Sequence, residues 1–267
     1  MPSQTSQKAI IANFVSVTGA SERTASRFLK STSYRLNEAL EAFYSSNSAA
    51  ASSTSAKDTQ LNKFFDGLRG EQEKDVLGAE SCMNYLQSVG VELEDASLFI
   101  AMELLKAPGI GEITREGFVN GWKETGVEVS IAAQAVHLKR LASSMARDRD
   151  HFRKVYRYAF VAGKEKDQRA LALDMAVVYW DTLFKHPGPR WVGSKSSVDW
   201  LEEWKTFLQE NWKRSVNRDM WNQTLEFAFK STDDEALSFW SEDASWPGVI
   251  DDFVVWYRQK DSMEIDK

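Results

Sequence analysis

The side chains of this chain best suited to catalysis or metal binding are His137, His151, His186 and Cys82, and their spacing fits neither chemistry. A structural or catalytic metal centre draws several soft ligands from short, regular spacings, whereas these four are far apart and carry no partner motif. Cys82 sits amid an amphipathic helical pattern and reads as a small core residue, not as half of a Cys-His pair. No G-x-S-x-G turn presents a serine, and Pro108, Gly109 and Gly111 form a turn between helices without the Lys-Ser/Thr of a phosphate loop. Two helix-loop-helix patterns, with loops near Asp66–Asp75 and Ala107–Thr114, have the outline of paired calcium-binding hands. Calcium needs oxygen ligands at alternate loop positions, and Leu68 stands where the second carboxylate should be, so the hands are expected to be empty. The expectation is a non-enzyme with no metal and no other cofactor.

What chemistry there is lies in placed charge. The final 37 residues hold ten Asp or Glu against three Lys or Arg, a local balance of −7 in a chain whose total is −6. They contain DASWPGVIDDFVVWYRQK, Asp243 to Lys260, an acidic lead into a Trp-Pro step and a helix with carboxylates beside an apolar stripe. A sequence pI near 5.3 argues against nucleic acid, because no segment is expected to supply the basic face that phosphates need; a basic protein partner fits better. The single cysteine excludes an intrachain disulfide, and with no charged-then-apolar leader the reading is cytoplasmic or nuclear. No apolar run reaches membrane-spanning length, so no membrane is expected.

The elements that must carry these residues read as helices throughout. Ile10, Ile11, Phe14 and Val15, then Ala25, Phe28 and Leu29, then Leu36, Ala39, Leu40, Phe43 and Tyr44 give three short amphipathic helices within 8–45, with Ser21 as N-cap of the second. The stretch 46–57, rich in Ser and Ala, has no large apolar side chain to offset the entropy of ordering and is expected to be a flexible linker. A larger domain follows over 58–260, then a tail, 261–267. Its helical stripes include Trp200, Trp204, Phe207, Leu208 and Trp212, then Trp221, Leu225, Ala228 and Phe229, then Val249, Ile250, Phe253, Val254 and Tyr257. No alternating run marks a strand, so the fold class is all-α, and the ten tryptophans are expected to fill a large interior.

Three strings, LDMAVVYW (Leu173 to Trp180), NRDMW (Asn217 to Trp221) and SWPGVIDDF (Ser245 to Phe253), together with FVSVTGASERTASRFLKS and YRLNEALEAFY near the start, resemble the defective-in-cullin-neddylation family in a fungal form. The resemblance covers nearly the whole chain: a ubiquitin-associated domain over 8–45 and a potentiating-neddylation domain over about 58–260. It implies a scaffold that holds a cullin's C-terminal winged-helix region on one surface and, in a pocket, the acetylated N-terminal tail of the modifier's conjugating enzyme. Catalysis would then belong to the conjugating enzyme, and this protein would act by orientation and proximity.

Carried over position by position, the resemblance implies a cullin-binding patch of Asp219, Ser245 and Asp251, with Ser245 replacing the family's usual Ala. Without the family, Asp219 reads as a first-turn carboxylate behind an Asn217 cap, and Ser245 as a cap of the last helix ahead of Pro247. The tail pocket falls on Ala79, Cys82, Ile100, Ala162, Tyr179 and Thr182, several of them smaller or more polar than in relatives; all but Tyr179 read equally well as core. The N-terminal domain is implied to bind ubiquitin or its relatives through Val17–Ala20 and Leu40–Tyr44. The alternative reading is a ubiquitin-receptor adaptor whose helical domain docks some other partner.

Overall fold

The computed structural model describes residues 4–165, 167–196 and 198–265, with side chains except at 4–6, 47–55 and 261–265. The chain divides after Gln60 into two units. The first contains α1 (Gln4–Thr18), α2 (Glu22–Ser31) and the start of α3 (Leu36–Leu68). Gly19, at φ 67°, ends α1 with its N–H on the Val15 carbonyl, and Ser21 caps α2 by accepting from the Thr24 N–H at 3.3 Å, as its sequence position predicts. Phe14, Ala25, Leu29 and Ala39 are fully buried, and the Phe43 ring meets Phe14 and Phe28 edge-on, each at 5.5 Å. Ile10, Ile11, Val15, Phe28, Leu36 and Leu40 pack partly buried around that small core.

The linker expected over 46–57 is instead part of α3, a continuous helix of 33 residues. The segment lacks Gly and Pro and is rich in Ala, the best helix former, so backbone propensity favours helix there.

The second unit runs through β1 (Val76–Leu77), α4 (Ala79–Ser88), α5 (Ala96–Leu104), β2 (Ile113–Thr114), α6 (Arg115–Thr125), α7 (Ile131–Met145), α8 (Arg149–Gly163), β3 (Ala170–Leu171), α9 (Leu173–Leu183), α10 (Trp200–Asn211), β4 (Val216–Asn217), α11 (Arg218–Asp233) and α12 (Gly248–Ile265). It is all-α apart from two two-residue ladders, Val76↔Thr114 with Leu77↔Ile113, and Ala170↔Asn217 with Leu171↔Val216. Each ladder ties two helix-loop-helix units together, so the hand pair expected around Asp66–Asp75 and Ala107–Thr114 is followed by a second built from α8 to α11. The expected tail begins inside α12; Asp266 and Lys267 lie outside the described residues.

In the first pair an arginine sits among the loop oxygens. The Arg115 guanidinium donates to Asp66 at 2.8 Å, to Asp75 at 2.7 Å and to the Lys74 carbonyl at 2.7 Å, and lies 4.6 Å over the Phe65 ring. Hydrogen bonds from Arg115 and then Arg69 hold the Asp66 carboxyl below its ordinary range. Glu73 meanwhile accepts from the Gly70 and Gly78 N–H groups, both at 2.8 Å. Asp66, Glu73 and Asp75 are thus engaged by groups of the chain itself.

The core locks α8, α9 and α11 together. Tyr156 Oη donates to the Trp221 carbonyl and Trp221 Nε1 to the Tyr156 carbonyl, each at 2.9 Å, while Trp180 Nε1 donates to Tyr156 Oη at 2.6 Å. The three rings stack, Tyr156 to Trp221 at 4.5 Å and Trp180 to Trp221 at 5.2 Å. Phe253 of α12 enters beside Trp204 and Phe207 of α10 at 5.1 and 5.6 Å. These helices carry the residues of interest at their ends, so their mutual geometry is fixed from within.

Candidate functional site

The first candidate surface is formed by α11, α12 and the turn before α12. Asn217 Oδ1 accepts from the Met220 N–H at 2.8 Å and caps α11, leaving Asp219 exposed in the first turn, where a carboxylate complements the helix dipole. Both features match the sequence reading. The capping role expected of Ser245 does not hold: α12 starts at Gly248, and the Pro247 carbonyl accepts from Ile250 and Asp251 N–H groups. Ser245 lies two positions too early to reach the first turn and is simply exposed.

Its neighbour Trp246 is the anchor. The indole packs on Phe227 at 6.0 Å and on Phe239 at 6.0 Å, with the Lys230 ammonium 5.3 Å from its ring. Asp251 is half-buried and accepts from Trp240 Nε1 at 2.8 Å, and Arg258 lies 4.9 Å over the Trp240 ring. One carboxylate oxygen is thereby held in a set direction. Ser245 and Asp251 flank one aromatic cluster, whereas Asp219 stands eight residues before Phe227 on α11, about 12 Å along the axis. A partner touching all three must span two turns of helix.

The second candidate surface gathers around the turn between α5 and β2. The Ile110 N–H donates to the Ala162 carbonyl at 3.3 Å, and a Cβ at Gly111 would be 3.9 Å from Ala79. The Tyr179 ring covers Gly163, where an added Cβ would overlap it, and meets Phe99 edge-on at 5.1 Å. Ala79, Ala162 and Tyr179 are therefore brought together. Cys82 and Ile100 are core, 0% and 1% exposed, and burial pushes the Cys82 thiol up to about 11, so it is inert as a nucleophile. Thr182 is half-buried, with its hydroxyl on the Val178 carbonyl at 2.8 Å.

Sequence reasoning missed Met83 and Ile110, both 45% exposed. Each carried a signal: Met83 lies four residues after Ala79 on the same helix face, and Ile110 is an apolar residue at the tip of a Pro-Gly turn. It also missed a basic stretch. Residues 139–157 hold seven Lys or Arg against two Asp, a local +5 that a whole-chain pI averages away. Arg153 and Arg157 are paired with Glu226, and Arg149 with Asp233.

Among the described residues no group of three or more His, Cys, Asp or Glu could hold a metal ion, and no helix is long and apolar enough to cross a membrane.

Family models match over residues 133–256, described as cullin binding, and over 8–50, described as a UBA-like domain. The chain is 42% identical over the full length of both proteins to "Defective in cullin neddylation protein 1" of Pyricularia oryzae. It is 27% identical to the protein of that name in Mycosarcoma maydis, over 97% of this chain and 96% of the other. With human "DCN1-like protein 4" it shares 28% identity over 70% of this chain and 59% of that one.

Proposed function

Because the chain belongs to the defective-in-cullin-neddylation family, we propose that it promotes cullin neddylation as a scaffold, bringing the modifier-charged conjugating enzyme to the cullin's C-terminal region without catalytic residues of its own. The cullin's winged-helix region is assigned to the Asp219, Ser245 and Asp251 surface. The acetylated tail of the conjugating enzyme is assigned to the apolar site around Ala79, Ile110, Ala162 and Tyr179. The observation that carries this reading is the rigid connection between them: Ala162 lies in the last turn of α8 and Asp219 in the first turn of α11, two helices joined by the reciprocal Tyr156–Trp221 bonds. Two proteins held on one rigid body have a fixed mutual orientation, which turns an encounter of three molecules into an effectively unimolecular transfer.

The N-terminal unit is assigned weak binding of ubiquitin-like folds. Val17 and Tyr44 are both half exposed and adjacent, with the Tyr44 hydroxyl donating to the Val17 carbonyl at 3.3 Å; Leu40 packs into the small core instead. The proposed work belongs to the cytoplasm or nucleus. The deciding test is a purified neddylation reaction with and without the protein, in which the yield of modified cullin should rise with the protein present. No rise, with cullin binding intact, would favour the adaptor reading.

A further inference from the structure

Between the start of α8, the C-terminal half of α11 and the segment after α9 lies a cavity of about 270 Å³. Phe152, Phe184, Trp191 and Ala228 form its buried floor and Phe229 one wall. Phe184 meets Trp191 at 5.2 Å and Phe152 meets Phe229 at 6.1 Å, so the lining is largely aromatic. Small-molecule sites usually enclose ~300–1,000 Å³, so this cavity suits one large side chain better than a cofactor. The Trp191 indole N–H is already engaged by Ser231 Oγ at 2.9 Å, so that donor is not free for a polar ligand.

An aromatic box can also take a cation. Here the Arg149 guanidinium already covers the Phe229 ring at 5.0 Å, and Arg190 stands at the rim, so a cationic ligand would meet like charge. Arg149 is neutralised by Asp233 at 2.8 Å. Among the described residues the exposed side chains of Arg190 and of Arg147, on the turn between α7 and α8, make no hydrogen bond or ion pair. Arg147 belongs to the basic stretch 139–157 of an acidic protein, and Arg190 joins it at the cavity rim.

We propose that this cavity is a docking site for an acidic segment of a partner protein, which inserts one aromatic or large aliphatic side chain while its carboxylates face Arg190 and Arg147. Arg149 and Ala162 are about 20 Å apart along α8, so the site stands apart from the tail surface, and Phe229 is about 15 Å along α11 from Asp219. It backs onto the other end of the proposed cullin surface, where Trp191 meets Phe227 at 6.3 Å.

The test is fluorescence anisotropy on the full chain with labelled acidic peptides, each carrying a single Phe, Leu, Met or Trp among Asp and Glu residues. At least one should bind, and its counterpart with Ser in place of the apolar residue should bind at least about tenfold more weakly. Arg190→Glu and Ala146→Trp, at exposed positions on the rim, should each weaken binding by about tenfold, or ~1.4 kcal/mol, with unchanged thermal melts. Asp219→Ala should leave peptide affinity as it was. No binding by any peptide overturns the proposal, as does equal binding of the Ser counterpart, which would mean charge alone. Tighter binding of a single-stranded oligonucleotide of matched charge would assign the face to nucleic acid instead.

Discussion

Replacing Asp251 by Ala removes a charge from the proposed cullin surface and also strands the Trp240 N–H, so a loss of binding after that change alone would be ambiguous. Asn keeps an oxygen for Trp240 and deletes only the charge. Asp219→Ala combined with Asp251→Asn should weaken cullin affinity at least ~100-fold by calorimetry, about 2.7 kcal/mol, if these carboxylates meet desolvated basic groups; a rim position would give under ~1 kcal/mol. Ser245→Arg should do comparable damage without moving the melt, because Ser245 is exposed and caps nothing. At the other surface the informative residue is Gly163. Any side chain there must push the Tyr179 ring aside, so Gly163→Ala should weaken binding of the conjugating enzyme's tail several-fold and leave cullin affinity unchanged. The acetylated tail should bind far more tightly than the free amine in calorimetry with paired peptides, since seating an ammonium against Ala79, Ile110 and Ala162 costs its hydration and these side chains return no hydrogen bond. Equal affinities would show that this lining makes no such pocket.

At the scale of elements, α3 decides between two accounts of residues 46–57. Proline inside a helix removes one hydrogen bond and clashes with the preceding turn, costing ~3 kcal/mol, whereas in a loose tether it costs almost nothing. Ser52→Pro should therefore lower the helical circular dichroism signal measurably; an unchanged spectrum would restore the tether. Most helices were legible because their apolar stripes are large: the Trp200 to Leu208 and Val249 to Val254 stripes are buried as their spacing predicts. α7 was not singled out, since its inward face offers little beyond Gln134, Leu138 and Met145. The ladders escaped notice because two residues cannot display an alternation. The second hand pair was hidden by the long segment between α9 and α10. For the sites, the Asn217 cap made Asp219 legible as an exposed first-turn carboxylate, but the sequence could not tell a buried Cys82 from an exposed Ala79 on the same helix, because which face points inward is settled only by what packs there.

For the whole molecule, the core of the second unit closes without the first: Leu61 and Phe65 at its start are fully buried against its own residues. A chain of residues 58–267 should fold and stimulate cullin modification in the purified reaction at a rate near that of the full chain, while loss of 1–57 should matter more to recruitment in cells. A folded 58–267 with no stimulation would reverse that division. The arginine in the first hand carries a wider implication. In calcium sensors a hand changes shape when the ion arrives, so the protein reports the state of the cell. With Arg115 bonded into the first loop, that region has no vacancy for a second messenger to fill, and its melting temperature should be indifferent to added calcium or chelator. A scaffold of the proposed kind, with this loop already closed on its own arginine, would take its timing from the supply of the protein and of its partners and not from a calcium pulse.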